Sequence, residues 1–247
     1  MDFKNKNVVI TGGTTGIGFA TAAAFIDAGA NVWITGRKED NLQVAARQID
    51  NPRLTTVLSD TSNFDGIAAL EKLVTENNIK IDVLFLNAGI ATFAPIEQVT
   101  EADFDAQFNT NVKGHFFTLQ KLIPHLQTGS SVIFTSSTVA TASNLGSSVY
   151  SATKGALNKI AQIAANELAS KNIRVNVVSP GPIETPGLQN AVPQEVMNHL
   201  AAATSLQRIG KPEEIANTVL FLASDKASFI NGTEFLVDGG YITYAMK

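Results

Sequence analysis

The stretch VVITGGTTGIG, residues 8–18, contains the transition that decides the fold. It opens with consecutive apolar residues, which is typical of a strand buried on both faces of a parallel sheet. Gly12, Gly16 and Gly18 follow, and their lack of side chains allows a tight turn and a close approach of a ligand to the main chain. Placed between a strand and a helix N-terminus, such a turn predicts a pyrophosphate site. A plain turn is the alternative, because the spacing Gly-x-x-x-Gly-x-Gly differs from the commoner Gly-x-Gly-x-x-Gly fingerprint.

Outward from this stretch, short apolar strands alternate with helices along the chain. Strands are predicted at residues 8–10, 32–35, 54–58, 83–86, 131–135, 174–178 and 234–237. Helices are predicted at residues 19–28, 40–50, 65–76, 101–126 and 150–167, with the fourth open to a break near Asn109. This order indicates an α/β Rossmann fold, a doubly wound seven-stranded parallel sheet with helices on both faces. Its ligand crevice lies at the carboxyl ends of the strands.

Nothing in the sequence divides the chain, so we expect a single domain over residues 1–247. Residues 180–193 are the one irregular region, with four prolines and two glycines after the sixth strand. Their position over the carboxyl edge of the sheet predicts a substrate lid at about residues 183–205. An ordinary long connection is the alternative.

Composition limits the classes of function. Apolar residues make up 45% and charged residues 16%, which excludes disorder. The net charge of −4, without any basic run, argues against a nucleic-acid partner. The absence of cysteine excludes thiol catalysis, and His115, His125 and His199 share no ligand spacing, so we expect no metal site. Without a signal peptide or a long apolar stretch, we expect a cytoplasmic protein and no membrane partner.

The run Tyr150-Ser-Ala-Thr-Lys154 carries the chemistry. Residues four apart on a helix share one face, so the phenol and the ammonium lie one turn apart. A fixed ammonium favours the phenolate, and we therefore expect Lys154 to lower the pKa of Tyr150. Ser137, thirteen residues upstream of the tyrosine, offers a hydroxyl to hold a carbonyl or alcohol oxygen. These groups predict a proton-transfer site beside the predicted nucleotide site.

Taken together, the motifs resemble the single-domain branch of the short-chain dehydrogenase/reductase family, over essentially the whole length. The resemblance rests on residues 11–18, Asp60, residues 87–89, Asn111, Ser137, Tyr150 with Lys154, Pro180-Gly181 with Thr185, and residues 238–240. One departure is Leu86, where many members have a second asparagine.

The resemblance implies a role for each matching residue. Tyr150 is then the acid/base, Ser137 holds the substrate oxygen, Lys154 tunes the tyrosine and holds the nicotinamide ribose, and Asn111 supports a water in a proton relay. Ser136 and Thr138 flank the serine, but the family spacing favours Ser137. The implied cofactor contacts are Gly12, Thr14, Thr15, Gly16, Ile17, Gly18, Arg37, Lys38, Asp60, Thr61, Asn87, Ala88, Gly89, Tyr150, Lys154, Pro180, Gly181, Ile183 and Thr185.

The residues after the second predicted strand indicate the cofactor. NAD-specific folds of this kind place an acidic residue there to bind the ribose 2′-OH, whereas this chain has Gly36. Arg37 and Lys38 follow, and Arg37 is suited to clamp a 2′-phosphate. We therefore expect NADP(H), with NAD(H) still possible, since Thr15 stands where NADP-dependent relatives often have a basic residue. The alternative is that both cations merely begin a solvated helix.

The expected substrate is a small neutral ketone or secondary alcohol, because the residues near the predicted pocket are apolar or small. These are residues 91–93, residues 143–145, Leu188, Val192 and Met197. The expected activity is that of an NADP(H)-dependent carbonyl reductase or alcohol dehydrogenase. A 3-oxoacyl-carrier-protein reductase, supported by Lys113 and Lys121 alone, is the alternative enzyme. A non-catalytic nucleotide sensor is disfavoured, since the catalytic set is complete. The family also implies a homotetramer, and residues 241–247 either complete a neighbouring pocket or fray.

Overall fold

The computed structural model describes residues 1–243, which form a parallel sheet with the strand order β3-β2-β1-β4-β5-β6-β7. The strands are β1 (Asn7–Ile10), β2 (Asn31–Gly36), β3 (Leu54–Leu58), β4 (Ile81–Leu86), β5 (Leu126–Thr135), β6 (Arg174–Pro180) and β7 (Glu234–Val237). The helices are α1 (Gly16–Asp27), α2 (Glu39–Ile49), α3 (Phe64–Glu76), α4 (Glu101–Phe108), α5 (His115–Leu122), α6 (Ser148–Glu167), α7 (Pro186–Ala191), α8 (Gln194–Ala202) and α9 (Pro212–Ala223). The predicted seven-stranded, doubly wound α/β fold is confirmed.

The continuous apolar strands arise because both faces of the sheet are covered. Val8 and Ile10 of β1 join a core with α1, α2 and α9, whereas Val9 joins a core with α3, α5 and α6. Phe85 and Leu84 of β4 divide between the two cores in the same way. Strand β1 pairs with β2 on one side and β4 on the other, so the winding reverses there. A ligand crevice is expected at this reversal.

The predicted helix at residues 101–126 is broken, and its end was placed too late. A π-helix, Asn109–Gly114, separates α4 from α5. Helix α5 ends at Leu122 because Pro124 lacks an amide hydrogen to continue it, and β5 starts at Leu126, five residues before the predicted start. The break near Asn109 lies where the sequence allowed it.

The predicted irregular region at residues 180–193 contains a short helix. Thr185 caps α7 by accepting a hydrogen bond from the Leu188 amide at 3.2 Å, and Pro186 occupies the first helical position. Both features favour a helix start. Helix α8 follows, so the predicted lid consists of two helices at the carboxyl edge of the sheet. The expectation for residues 241–247 lies partly outside the described residues.

Within residues 1–243, no helix is both long and apolar enough to cross a membrane. The same residues contain no cluster of three or more histidine, aspartate or glutamate side chains arranged to hold a metal ion.

The start of α3 lies against the main chain of Asp60, and Gly66 makes this possible. A methyl group on Gly66 would overlap the Asp60 carbonyl oxygen. We expect Gly66→Ala to lower the free energy of unfolding by about 1–3 kcal/mol, because α3 must move away from the sheet edge. Chemical denaturation measures the change.

Gly155 on α6 provides the matched control, because a methyl group there meets no atom within 4 Å. Gly155→Ala should leave the stability unchanged or raise it by up to about 1 kcal/mol. Equal losses in both variants would contradict the packing argument.

Candidate active site

The glycine-rich turn lies at the carboxyl end of β1, where side chains are excluded. Gly12 has a φ of +66°, and a methyl group on it would lie 2.8 Å from Ala88 Cα. A methyl group on Gly18 would overlap the Gly12 carbonyl oxygen and lie 2.7 Å from Asn87 Nδ2. Close packing therefore requires glycine at both Gly12 and Gly18. At Gly12 the positive φ is a second reason.

The N-terminus of α1 is open to an anion. Thr15 stands at the N-cap but makes no side-chain cap hydrogen bond, and the first turn carries no acidic residue. The first amides of a helix carry partial positive charge and bind phosphate when no side chain occupies them. The residues present thus fit the pyrophosphate of a dinucleotide.

A network of short polar side chains holds the turn against the sheet. Asn87 Nδ2 donates to the carbonyl oxygens of Thr11 and Gly12 at 3.3 and 3.1 Å, and its Oδ1 accepts from Thr135 Oγ1 at 3.1 Å. The buried Thr11 hydroxyl accepts from the amides of Asn87 and Ala88. Because its amide is fully engaged with protein, Asn87 shapes the cofactor site mainly by joining the ends of β1, β4 and β5.

Tyr150 and Lys154 lie on one face of α6, as their spacing predicted. Lys154 is only 2% exposed, its Nζ donates to the Thr135 carbonyl at 2.8 Å, and it lies 5.6 Å from the Tyr150 ring centroid. Tyr150 is partly buried, with the Phe93 ring meeting it edge-on at 5.9 Å. The phenol and the ammonium therefore border the same pocket.

The expected lowering of the tyrosine pKa is wrong for the protein by itself. Burial raises the pKa of Tyr150 to about 12, and the hydrogen bond with the Ser137 hydroxyl offsets only part of this effect. Burial also lowers the pKa of Lys154 to about 8. Desolvation disfavours the charged form of each group, and it is the largest cause of both pKa shifts. At neutral pH the phenol therefore carries its proton.

Asn111 lies in the π-helix and is fully buried. Its amide accepts from the Ile90 main-chain amide at 2.9 Å and donates to the Ile90 carbonyl and to Thr153 Oγ1 at 2.8 and 3.1 Å. A methyl group on Gly89 would lie 3.4 Å from Asn111 Oδ1 and 3.7 Å from Lys154 Nζ. Asn111 and Lys154 therefore border one small space beside Gly89.

Ser137 directly follows the end of β5 and starts a short 3-10 turn, where its hydroxyl accepts from the Val139 amide at 3.4 Å. Of its neighbours, Ser136 is buried and its hydroxyl lies 3.4 Å from the Lys154 carbonyl, while Thr138 is buried in the turn. Only Ser137 of the three remains partly exposed. The choice of Ser137 stays a prediction, and its hydroxyl is the one of the three in a partly exposed residue.

The remaining predicted cofactor residues lie around the same edge of the sheet. Arg37 and Lys38 are exposed after β2, while Asp60 and the buried Thr61 follow β3, with Asp60 Oδ1 accepting from the Ser62 amide at 2.9 Å. Thr14 lies against Gly36, and Ile17 packs on the core.

The strand β6 leads into the lid along this edge. Pro180 ends the strand, and Gly181 lies against Asp238, since a methyl group on it would be 2.7 Å from Asp238 Cα. Ile183 is buried and bridges to Gly210. Thr185 lies against Gly16, because a methyl group on that glycine would be 3.1 Å from Thr185 Cγ2. The predicted lid segment therefore begins directly over the glycine-rich turn.

Several functional neighbours were missed from the sequence. Thr11, Thr135 and Thr153 support Asn87, Lys154 and Asn111. Their only sequence signal is adjacency to a motif, since each stands within two residues of a predicted site residue. His115, considered in the sequence only as a metal ligand, is 2% exposed and its Nδ1 lies 2.8 Å from the Asn111 carbonyl oxygen.

The fold and the site define an oxidoreductase that binds a dinucleotide at the β1–β4 crevice. A family model described as Enoyl-(Acyl carrier protein) reductase matches residues 12–242. The NADP-dependent (R)-specific alcohol dehydrogenase of Lentilactobacillus kefiri is 35% identical over 244 residues, covering 96% of this chain and 97% of that protein. The chain belongs to the short-chain dehydrogenase/reductase family, whose members are NAD(P)-dependent enzymes acting on CH–OH and C=O groups.

Solved structures agree over the whole length. A short-chain dehydrogenase from Burkholderia cenocepacia in complex with NADP matches with a TM-score of 0.91 at 29% identity, covering 98% of this chain and 100% of that one. A 3-ketoacyl-(acyl-carrier-protein) reductase from Brucella melitensis complexed with NADH matches with a TM-score of 0.89 at 30% identity, covering 97% and 99%. A nicotinamide cofactor is thus supported for this chain.

Burial of His115 makes the stability of the protein depend on pH. Burial and the nearby Lys154 charge lower the pKa of His115 from 6.5 to about 3. The unfolded chain therefore binds more protons than the folded one between these values, and the stabilisation present above pH 6.5 is lost as the pH falls towards 3. Between pH 7 and pH 5 the wild type should lose about 2 kcal/mol more than His115→Asn, measured by denaturation at each pH.

His199, exposed on α8, supplies the control. His199→Asn should retain the pH dependence of the wild type. Parallel pH profiles for the wild type and His115→Asn would show that His115 is not the group that titrates.

Proposed function

We propose that this protein is an NADPH-dependent carbonyl reductase that converts a small neutral ketone into a secondary alcohol, with the reverse reaction as an alcohol dehydrogenase. The observation that carries the proposal is the Tyr150 phenol beside Ser137 and Lys154, at the same sheet edge as the glycine-rich turn. Such a group is suited to give a proton to an oxygen that becomes negative during reduction.

A nicotinamide cofactor held at the glycine-rich turn would supply the hydride that the carbonyl carbon receives. The Ser137 hydroxyl donates a hydrogen bond to the substrate oxygen and holds it beside Tyr150. The Tyr150 hydroxyl gives its proton to that oxygen, so hydride and proton together form the alcohol. The phenolate left behind is stabilised by the neighbouring Lys154 ammonium. Lys154 then returns a proton to the phenol and recovers one from solvent through a water, which Asn111 supports in the space beside Gly89.

The end of β2 supports a preference for NADP(H). Arg37 and Lys38 are exposed, and in the described part of the chain neither side chain forms a hydrogen bond or an ion pair with another residue. A side chain at Gly36 would meet Thr14 at 2.6 Å and Leu42 at 3.1 Å, so packing excludes a carboxylate at this position. Two cationic side chains are therefore available here for a 2′-phosphate, next to Glu39 and Asp40 in the first turn of α2.

The surroundings of Tyr150 support a neutral substrate. Phe93 is 44% exposed beside the phenol, and Leu145 projects from the loop that precedes α6. The two lysines considered for an acyl-carrier protein are engaged elsewhere: Lys113 lies 5.1 Å from the Phe64 ring centroid, and Lys121 pairs with Glu71 at 3.1 Å. These contacts give the carrier-protein alternative no added support.

We also propose that the chain assembles as a homotetramer. Phe104 of α4 stacks on Phe108 at 4.6 Å and remains 44% exposed, and Phe116 of α5 is 43% exposed. Large exposed aromatic side chains grouped on two adjacent helices support self-association.

Replacing Tyr150 with phenylalanine tests the reaction. Tyr150→Phe removes the transferred proton and should lower kcat by roughly a hundredfold or more, because positioned proton transfer contributes on this scale. Ketone reduction is followed by loss of NADPH absorbance, and NADPH binding, measured by fluorescence titration, should stay unchanged.

Phe93→Leu is the control for loss of ring packing at Tyr150, and it should retain most of the turnover. Full activity in Tyr150→Phe would refute the proposed mechanism. A protein that binds NADPH but turns over no substrate from a panel of ketones, β-keto esters, sugars and 3-oxoacyl thioesters would favour a sensor.

Replacing Arg37 with alanine tests the cofactor preference. Arg37→Ala should lower kcat/KM for NADPH by roughly tenfold or more while sparing NADH, because only NADPH carries the phosphate that accepts charge-assisted hydrogen bonds. Arg47→Ala removes the same charge from the far end of α2 and should leave both cofactors unaffected. An unchanged NADPH preference in Arg37→Ala would refute the role of Arg37.

A further inference from the structure

His115 lies next to the catalytic machinery without belonging to the family motif. It is the first residue of α5, directly after the π-helix, and its ring is buried against Phe134 at a centroid distance of 6.2 Å. Its Nδ1 lies 2.8 Å from the main-chain carbonyl oxygen of Asn111, four residues earlier. Its Nε2 is buried and has no hydrogen-bond partner within the described part of the chain.

The contact determines the tautomer of the ring. A carbonyl oxygen can only accept, so Nδ1 must carry a hydrogen in order to make this bond. The ring is neutral at ordinary pH, because burial lowers its pKa to about 3. A neutral imidazole has a single N–H group, so Nε2 is bare and cannot donate.

The carbonyl that receives this bond belongs to the turn that orients Asn111. The π-helix replaces the regular hydrogen-bond ladder over residues 109–114, so an additional donor is needed to hold this segment in one conformation. The side-chain amide of Asn111 meanwhile forms hydrogen bonds with Ile90 and with Thr153 at the same time. A small rotation of the turn would break these bonds and move Asn111 relative to Lys154.

We propose that His115 is a positioning residue for proton transfer: its Nδ1–H holds the Asn111 main-chain carbonyl and thereby fixes the π-helical turn that places Asn111 beside Lys154. The proposal rests on the catalytic role proposed above for Asn111. His115 itself touches neither Tyr150 nor Ser137 within hydrogen-bonding distance. Because Nε2 carries no hydrogen, the ring is suited to hold the Asn111 carbonyl rather than to pass a proton from one nitrogen to the other.

Two substitutions of His115 distinguish the effect of its N–H donor from the effect of the size of its ring. His115→Leu keeps an apolar side chain of similar size but has no donor, whereas His115→Asn retains an N–H donor on the same branch atom as Nδ1. We expect His115→Leu to lower kcat roughly tenfold to a hundredfold, because a small misplacement of a catalytic group costs up to this much. The KM for NADPH should be unchanged, and the solvent deuterium isotope effect on kcat should rise as proton transfer becomes slower. His115→Asn should recover most of kcat and the original isotope effect.

Asn111→Ala, assayed in parallel, distinguishes the failure of this inference from the failure of the proposed function. Full activity in Asn111→Ala would refute the relay itself. Impaired Asn111→Ala together with wild-type kcat and isotope effect in His115→Leu would refute the positioning role alone. Equal losses in His115→Leu and His115→Asn would also refute it, because the donor would then be irrelevant.

A spectroscopic measurement on the wild-type protein tests the positioning role of His115 even if His115→Leu does not fold. The chain has only three histidines, so ¹⁵N-histidine labelling gives a spectrum that single substitutions at His125 and His199 can assign. The inference requires a neutral ring of His115 protonated on Nδ1 at pH 7. A ring protonated on Nε2, or on both nitrogens, overturns it.

Discussion

One buried ammonium organises the active site. Lys154 is almost completely removed from water, and its Nζ has the Thr135 carbonyl as a partner at 2.8 Å. A buried charge without partners is strongly unfavourable, so this bond must form whenever α6 packs on the sheet. It joins the helix that carries Tyr150 to the end of the strand that leads into Ser137. The relative placement of three catalytic groups thus follows from the need to satisfy one cation.

Around this contact the site is built from main-chain atoms and short side chains. Thr11, Thr135 and Thr153 each link a motif residue to a strand end or to the next turn of a helix. Threonine has few accessible rotamers, so such links lose little conformational entropy on folding and hold their partners in narrow ranges. Because the hydride comes from the cofactor, orientation and the placement of one proton are what remain for the protein to supply.

The fold was predictable from the sequence because each buried strand is a short apolar run with its own flanking turn. The end of β1 at the glycine-rich turn and the bounds of β3 and β7 came out as predicted. The π-helix was not predictable beyond a break near Asn109, since its packing against Thr61 is a tertiary contact with no local pattern. The early start of β5 was missed because residues 127–130 are polar or glycine, yet they belong to the strand.

The placement of Tyr150 and Lys154 on one helix face was also predictable, but the pKa values of the two groups were not. A spacing of four residues shows that Tyr150 and Lys154 share a helix face, and it says nothing about how much water reaches them. In the folded protein, burial raises the pKa of Tyr150 to about 12 and lowers the pKa of Lys154 to about 8. Each shift moves its group towards the neutral form, which is the signature of desolvation rather than of an ion pair.

The protonation state of Tyr150 matches one direction of the proposed reaction. With the phenol protonated at neutral pH, the protein is ready to give a proton to a carbonyl oxygen without any prior ionisation. Alcohol oxidation needs the opposite form, a phenolate, whose population falls tenfold for each pH unit below the pKa of Tyr150. Near neutral pH, the protonated phenol is therefore the form that the proposed reduction uses. The reverse reaction needs either alkaline solution or an additional positive charge close to the phenol.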